Sequence, residues 1–469
     1  MNDMKFIETL KQKRKDCDYS QSRLAQELQI SRQNLNEIEN GKTKASKEMK
    51  HILLHYLDYC NCTQPFTLTI DYLRVRFPTT DALEIIKNVL AMKSEYFIHE
   101  DYGMFGYEEQ YIYGDISVNA SKDSSMGVLL ELRGMGCRNL EYVLQARGID
   151  WYYFLSSCID YQGVFKRIDL AVNDMGGLLD IEILRERYYA NKVWKRSRTH
   201  EAVDSGKLSG THGDTAKTFY IGSKNSSIYF CLYEKEKEQK SKGIKTDIKN
   251  RFEIRLKSGK AEQTIEQLVF SRNPEQTIAS LILTQIDFPV YILWDIFLDN
   301  VTTSLPFIMT PVAVNMDKTK RWLERQVMPS LLMIKEIEKQ TGANYLEEID
   351  RHTRLTEKQE LKIKQMTTDI ADMIEKDTAV PQGNDGIFNF FKKSATKRLL
   401  AYRYGARKGN LTFFQNYSLN RGFHSLYGVK EENIFILNLT FGSCRSLYGA
   451  KKIFHSIVGN NGVAWVVRV

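Results

Sequence analysis

Long apolar runs, paired cysteines and nucleotide-binding glycine loops are all missing from this chain, and each absence closes off a class of protein. No apolar stretch approaches the ~20 residues that span a bilayer. The N-terminus MNDMKFIETLKQKRKD has no apolar signal-peptide core, so a cytoplasmic setting without a membrane partner is expected. The seven cysteines, at 17, 60, 62, 137, 158, 231 and 444, are scattered, odd in number and without a CxxC pair. Structural zinc and a disulfide framework are therefore not expected, and Cys60 and Cys62 stand too close for a zinc knuckle. No GxxxxGK[ST] loop is present, so any ATP-driven step must come from another protein.

What is present is ordinary in bulk and uneven in detail. With 469 residues, 42% hydrophobic and 26% charged, the chain is long enough for about three soluble domains. The net charge is +8, yet residues 381–469 hold 13 Lys and Arg against 3 Asp and Glu. A polyanion is a natural partner for that end, although basic residues also simply solubilise a surface.

Residues 20–44 read SQSRLAQELQISRQNLNEIENGKTK. Leu24, Ala25 and Leu28 recur at helical spacing, and Ile30, Leu35 and Ile38 repeat the pattern after a break. Ser20 and Ser31 are placed to cap the two helices, and small Ala25 lets them approach closely. The segment resembles the phage-repressor (Cro/Xre) helix-turn-helix family over about residues 4–57, with Gln29 where that family often has glycine. The resemblance implies that residues 31–38 enter the major groove. Arg32, Gln33, Asn34 and Asn36 would then face base edges, with Gln21 and Lys42 near phosphates. On the next helix His51 and His55 sit four apart, but a metal would want a further ligand, and Ile52 stands where a zincin needs glutamate. A plain helix face is expected there.

From about residue 65 the texture becomes α+β. TLTIDYLRVRF (67–77), GVLLELRG (127–134), FKRIDLAVND (165–174), TFYIGS (218–223), SSIYFCLY (226–233) and RFEIRLK (251–257) read as strands, with helical stretches such as DALEIIKNVLAM (81–92) between them. An antiparallel sheet covered by helices on one face is predicted. Alternation sends Phe230, Leu232, Phe252, Ile254, Ile168 and Leu170 to the core, and Tyr229, Cys231, Tyr233, Arg251, Glu253, Arg255 and Asp169 to the other face. A phenol, two carboxylates and several cations on one open face can hold Mg²⁺ or Mn²⁺ and attack a phosphodiester. Tyr233 would be the nucleophile, with Lys235, Arg251 and Arg255 offsetting charge on the phosphoryl oxygens. Tyr220 and Tyr229 are rivals for that role.

Taken together, RIDLAVND, TFYIGSKNSSIYFCLYEK and RFEIRLK resemble the Rep_trans superfamily of rolling-circle initiators, whose staphylococcal-plasmid members carry the attacking tyrosine in the same Tyr-x-Lys context. With a repressor-type helix-turn-helix in front, the chain is most similar to MobT-type relaxases of integrative conjugative elements. DKTKRWLERQVMPSLLMIKEI (317–337) resembles that family's C-terminal helical part. The resemblance implies a site- and strand-specific nick, a 5′-phosphotyrosine link through Tyr233 and later rejoining. It implies Asp169 and Glu253 as metal ligands, with Asp71 a third candidate whose strand phase conflicts with Leu73 and Val75. Other nicking classes fit less well. None of the eight histidines forms a His-hydrophobic-His pair, and Thr353–Arg354 after His352 breaks the His-x-x-Arg spacing of tyrosine recombinases.

The expected organisation is a helix-turn-helix domain over 1–62, a nicking-joining domain over 65–310, a helical segment over 311–378 and a basic, aromatic tail over 379–469. The tail could stack on single strands, but an added extension with little stable fold is the preferred reading. Duplex origin DNA, an exposed single strand, a host or element-encoded helicase and a second copy of the chain are the partners to consider. The rival function is a non-enzymatic transcription regulator on a degenerate catalytic fold; a plasmid replication initiator would share the chemistry.

Overall fold

Serine hydroxyls set the starts of three of the first four helices in this computed structural model, which describes residues 2–205 and 216–375 and, beyond them, only five strands. The helices are α1 (Asp3–Asp16), α2 (Gln21–Glu27), α3 (Arg32–Glu39) and α4 (Lys47–Cys60). Ser20 accepts from Arg23 N at 3.1 Å and Ser31 from Asn34 N at 3.0 Å, as predicted. The turn between α2 and α3 closes with Ile30 N donating to Ala25 O (2.9 Å) and Gln29 N to Gln26 O (3.1 Å), a Schellman pattern that needs a left-handed residue. Gln29 supplies it at φ +54°. Leu10, Leu24, Leu28, Leu35, Ile38, Leu53 and Leu57 fill the core of this bundle.

The next elements build one ten-stranded antiparallel sheet. Its strands are β1 (Phe66–Phe77), β2 (Ile98–Glu100), β3 (Glu109–Tyr113), β4 (Ile116–Ala120), β5 (Val128–Arg133) and β6 (Val164–Asp174). After the short β7 (Trp194–Lys195) come β8 (His200–Ser205), β9 (Ala216–Ile221), β10 (Ile228–Tyr233) and β11 (Asn250–Lys257). The spatial order is β2-β3-β4-β5-β1-β6-β11-β10-β9-β8, so β1, β6 and β11 lie at the centre. β7 pairs instead with β12 (Ile286–Asp287).

Every second residue of the central strands meets the covering helices. Phe252 packs against Phe230 (ring centroids 5.4 Å), Trp294 (6.0 Å) and Phe297 (5.6 Å), the last two from the helix Ile292–Thr303. Helices Met135–Ala146, Trp151–Asp160 and Gly259–Ser271 complete the layer. The predicted α+β architecture, with helices on one sheet face, is what the structure contains. Beyond the sheet, helices Met328–Thr341, Tyr345–His352 and Glu357–Thr367 form the helical segment, and Gln365 anchors it by donating to the carbonyls of Tyr96 (2.7 Å) and Ile112 (3.0 Å).

Helix α4 joins the two parts. Tyr59 shares a hydrogen bond with Asn300 (3.2 Å), Arg187 donates to Glu48 (2.6 Å), and Lys47 pairs with Glu186. Residues 382–469 form a separate unit in which strands 412–417, 423–430 and 433–440 make a three-stranded sheet and 455–458 pairs with 464–467. The rest of the tail lies outside the described residues. Among the described residues no helix is long and apolar enough to cross a membrane.

Candidate active site and DNA-reading helix

The face of the sheet away from the helices carries a continuous lattice of charge, set by register. Tyr233 pairs across strands with Arg251 and Arg251 with Asn173; one row on, Cys231 meets Glu253 and Glu253 meets Ala171; the next row sets Tyr229, Arg255, Asp169 and Tyr72 side by side. The Tyr233 hydroxyl donates to Glu253 Oε1 at 2.6 Å. Arg255 binds the other oxygen of Glu253 through Nε (2.9 Å) and Nη2 (2.7 Å), and its Nε lies 3.7 Å from Asp169. Arg167 grips both oxygens of Asp169 at 2.8 and 2.6 Å. Arg251 donates to Asn173 (2.8 Å) and Asp71 (2.8 Å), and stands 3.9 Å from Glu253.

Asp71 reaches this face through a β-bulge. The β1–β6 register slips between Ile70 and Tyr72, leaving Asp71 without a partner residue. Leu68 and Ile70 before the slip, and Leu73, Val75 and Phe77 after it, are all buried toward the helices. One extra residue thus removes the phase conflict that alternation alone leaves at Asp71. A glycine performs a similar service for Tyr233: Gly222 turns the β9–β10 hairpin at φ +102°, where a Cβ would come within 2.9 Å of Tyr229.

The lattice is less open than alternation suggests. Asp169, Glu253 and Arg251 are only 3%, 2% and 4% exposed, with neighbouring guanidinium and phenol groups packed against them. Burial, and then the Glu253 charge, pushes the Tyr233 phenol well above its ordinary range, and Arg251 opposes this only in part. Burial also raises Asp169 to about 6 against the pull of Arg167. The site at rest therefore holds a neutral phenol bonded to a carboxylate. Lys235 pairs with Glu238 (2.8 Å), and its ammonium lies 5.4 Å from the Tyr233 ring. The rivals Tyr220 and Tyr229 each stand beside the Arg255 guanidinium, at 5.8 Å.

Asp71, Asp169 and Glu253 are not gathered into one carboxylate cluster. Among the described residues the group offering three ligand atoms within 4.8 Å of one another is a different one, His51, His55 and Asp180. Instead, guanidinium groups stand between the three acids: Arg251 between Asp71 and Glu253, Arg255 between Glu253 and Asp169. Each acid pair is thus already bridged by a guanidinium group, and the carboxylates as placed leave no shared position for a metal ion. Sequence reasoning missed Arg167 and Asn173, although both follow from the alternation that placed Asp169.

On the helix-turn-helix, Arg32, Gln33, Asn36 and Lys42 are exposed and Asn34 is half-buried. Gln33 bonds Glu37 (3.0 Å), and Asn36 accepts from Asn40 (3.0 Å). Gln21 points inward: it donates to buried Glu39 at 2.7 Å, beside the bidentate pair that Arg14 makes with the same carboxylate (2.7 and 3.0 Å).

Comparison with known proteins agrees with this layout. Residues 10–59 match a family described as Helix-turn-helix, residues 67–157 the Rolling Circle replication initiation protein N-terminal domain, and residues 163–349 Replication initiation factor. The putative DNA relaxase NicK of Bacillus subtilis (strain 168) is 30% identical over 328 residues, which are 66% of this chain and 92% of the relative. A solved rolling-circle replication initiator protein from Geobacillus stearothermophilus aligns with 52% of this chain and 99% of its own, at 22% identity and a TM-score of 0.45. A full-length relative at that identity and three domain matches in the expected order place the chain in the family of replication initiation factors and DNA relaxases.

Proposed function

We propose that the protein nicks and rejoins one DNA strand at an origin, initiating conjugative transfer or rolling-circle replication of a mobile element. The observation that carries this reading is the Tyr233 hydroxyl, held 2.6 Å from a buried carboxylate on a sheet face lined with arginines. Tyr233 Oη attacks the phosphorus as its proton passes to Glu253 Oε1, the P–O3′ bond breaks to leave a 5′-phosphotyrosine, and the departing 3′ oxygen takes a proton from water to become a hydroxyl. The reverse sequence rejoins the strand. Arg251 and Arg255, released from their carboxylates as a phosphate enters, stabilise charge on the non-bridging oxygens, and Lys235 adds to the local field. Asp169 and Glu253 (through Oε2), with Asp71 as a third donor, would hold a Mg²⁺ or Mn²⁺ ion if the guanidinium groups between them gave way, and the ion would supply Lewis-acid stabilisation of the phosphoryl group.

The helix-turn-helix reads duplex near the origin through Arg32, Gln33, Asn34 and Asn36, with Lys42 on phosphate. Gln21 supports the fold through Glu39. Strand separation falls to a separate helicase. The test is relaxation of a supercoiled plasmid bearing the element's origin in the presence of Mn²⁺. Origin-dependent open circles that disappear on chelation support the reading. Duplex binding without any nick would favour the regulator.

A further inference from the structure

Two histidines that the nicking chemistry does not use meet a third polar group at the seam between the DNA-reading and nicking domains. His51 and His55 are one turn apart on α4, their rings stacked with centroids 5.4 Å apart and planes 12° from parallel. Asp180 faces them from the N-cap of helix Ile181–Tyr189. One of its oxygens is spent on the cap, accepting from Glu182 N (2.9 Å) and Ile183 N (3.0 Å). The other, Oδ2, lies against His51 Nδ1 and 3.5 Å from His55 Nε2.

Hydrogen bonding orients the second ring. His55 Nδ1 lies against the carbonyl of Gly177, which it can bond only as an N–H donor. In the neutral ring that leaves the Nε2 lone pair aimed at a carboxylate oxygen, an acceptor facing an acceptor. His51 Nδ1 is buried, touches the same oxygen, and makes no hydrogen bond of normal geometry. The loop that delivers Gly177 and Asp180 is itself tied down by hydrogen bonds. Buried Asp174 accepts from the backbone N–H of Gly177 (2.7 Å), Leu178 (3.0 Å) and Leu179 (2.8 Å).

We propose that His51, His55 and Asp180 form a site for a borderline divalent transition-metal ion, Zn²⁺ by its chemistry, which fastens the helix-turn-helix domain to the nicking domain. Two imidazole nitrogens and one carboxylate oxygen are a ligand set suited to zinc, and the Gly177 carbonyl orients one ligand ring as outer-shell partners do. Water from the cleft that the two histidines line with Lys44, Lys47 and Lys50 would complete the ligand set. The charge of those lysines is offset, since Asp3 pairs with Lys44 and Lys50, and Glu186 with Lys47. The ion would bridge elements on either side of the domain seam, α4 from one and the Asp174–Asp180 loop from the other.

This inference does not depend on Tyr233 cutting DNA. The full chain, stripped with chelator and dialysed, is titrated with Zn²⁺ by calorimetry and with Co²⁺ by visible absorption. One tightly bound Zn²⁺ per chain, over any weaker binding at the acids of the nicking site, and a cobalt ligand-field band are expected. Affinity should fall by at least about 100-fold in the His51→Gln/His55→Gln double variant and remain unchanged in Glu253→Gln. Asp180→Asn keeps an oxygen for the helix cap, so weakened Zn²⁺ binding there with duplex binding intact separates loss of a ligand from misfolding. Wild-type protein that binds no Zn²⁺ at about 100 µM, or a double variant that binds it as tightly as wild type, would overturn the assignment.

Discussion

Glu253→Gln perturbs the site at the point where its structural and chemical roles meet. The carboxylate is 2% exposed, accepts two hydrogen bonds from Arg255 and takes the Tyr233 hydroxyl. Removing one member of a buried ion pair usually costs about 3–5 kcal/mol, because the partner charge is left stranded. Here Arg255 keeps a second carboxylate within reach, Asp169 at 3.7 Å, so a loss of about 2–3 kcal/mol is expected. In native-state hydrogen exchange this corresponds to roughly 30- to 160-fold faster opening of β10 and β11, with α1–α4 unaffected. If Glu253 also takes the tyrosine proton, nicking falls about 10²–10⁴-fold while duplex binding holds. A variant that nicks within about threefold of wild type would refute the proton-acceptor role. Unchanged exchange in β10 and β11 would refute the energetic reading of the lattice.

The other predictions concern the DNA-reading domain. Gln29→Gly should stabilise the helix-turn-helix by about 0.5–1 kcal/mol, as relief of a left-handed non-glycine outweighs added chain entropy; slower exchange in α2 and α3 checks it. Glu39→Gln should weaken the same domain by about 3 kcal/mol at neutral pH and flatten its acid response. Burial pushes that carboxyl up, but Arg14 and Gln21 outweigh burial and hold it low. Its contribution is therefore full above the unfolded value of about 4.3 and lost as pH falls through the lower folded value, which an acid titration of the domain's circular dichroism reads. Arg32→Ala should cost about 1–3 kcal/mol on the preferred duplex and less on random duplex; equal losses would remove the sequence-reading role.

Much of the site could be read from the strands because sheet periodicity is simple. The alternation in RIDLAVND, IYFCLY and RFEIRLK places Asp169, Tyr233, Glu253, Arg251 and Arg255 on one face, and the structure has them there. Where periodicity breaks, so does its reach: the bulge at Asp71 adds one residue that alternation does not count. Alternation also says nothing of burial within a face, where long guanidinium and phenol side chains seal Asp169 and Glu253. The His51–His55–Asp180 group shows the other limit. Two ligands four residues apart signal a helix face, but the third comes from a distant loop through tertiary packing, which local spacing does not encode.

The central claim is that the Tyr233 oxygen becomes bonded to DNA. The direct measurement is mass spectrometry of the protein after reaction with origin single strand and Mn²⁺, followed by nuclease trimming and proteolysis. A nucleotide adduct is expected on the peptide containing Tyr233, absent from Tyr233→Phe protein that still binds duplex. An adduct on Tyr220 or Tyr229, or one that persists in Tyr233→Phe, would contradict it.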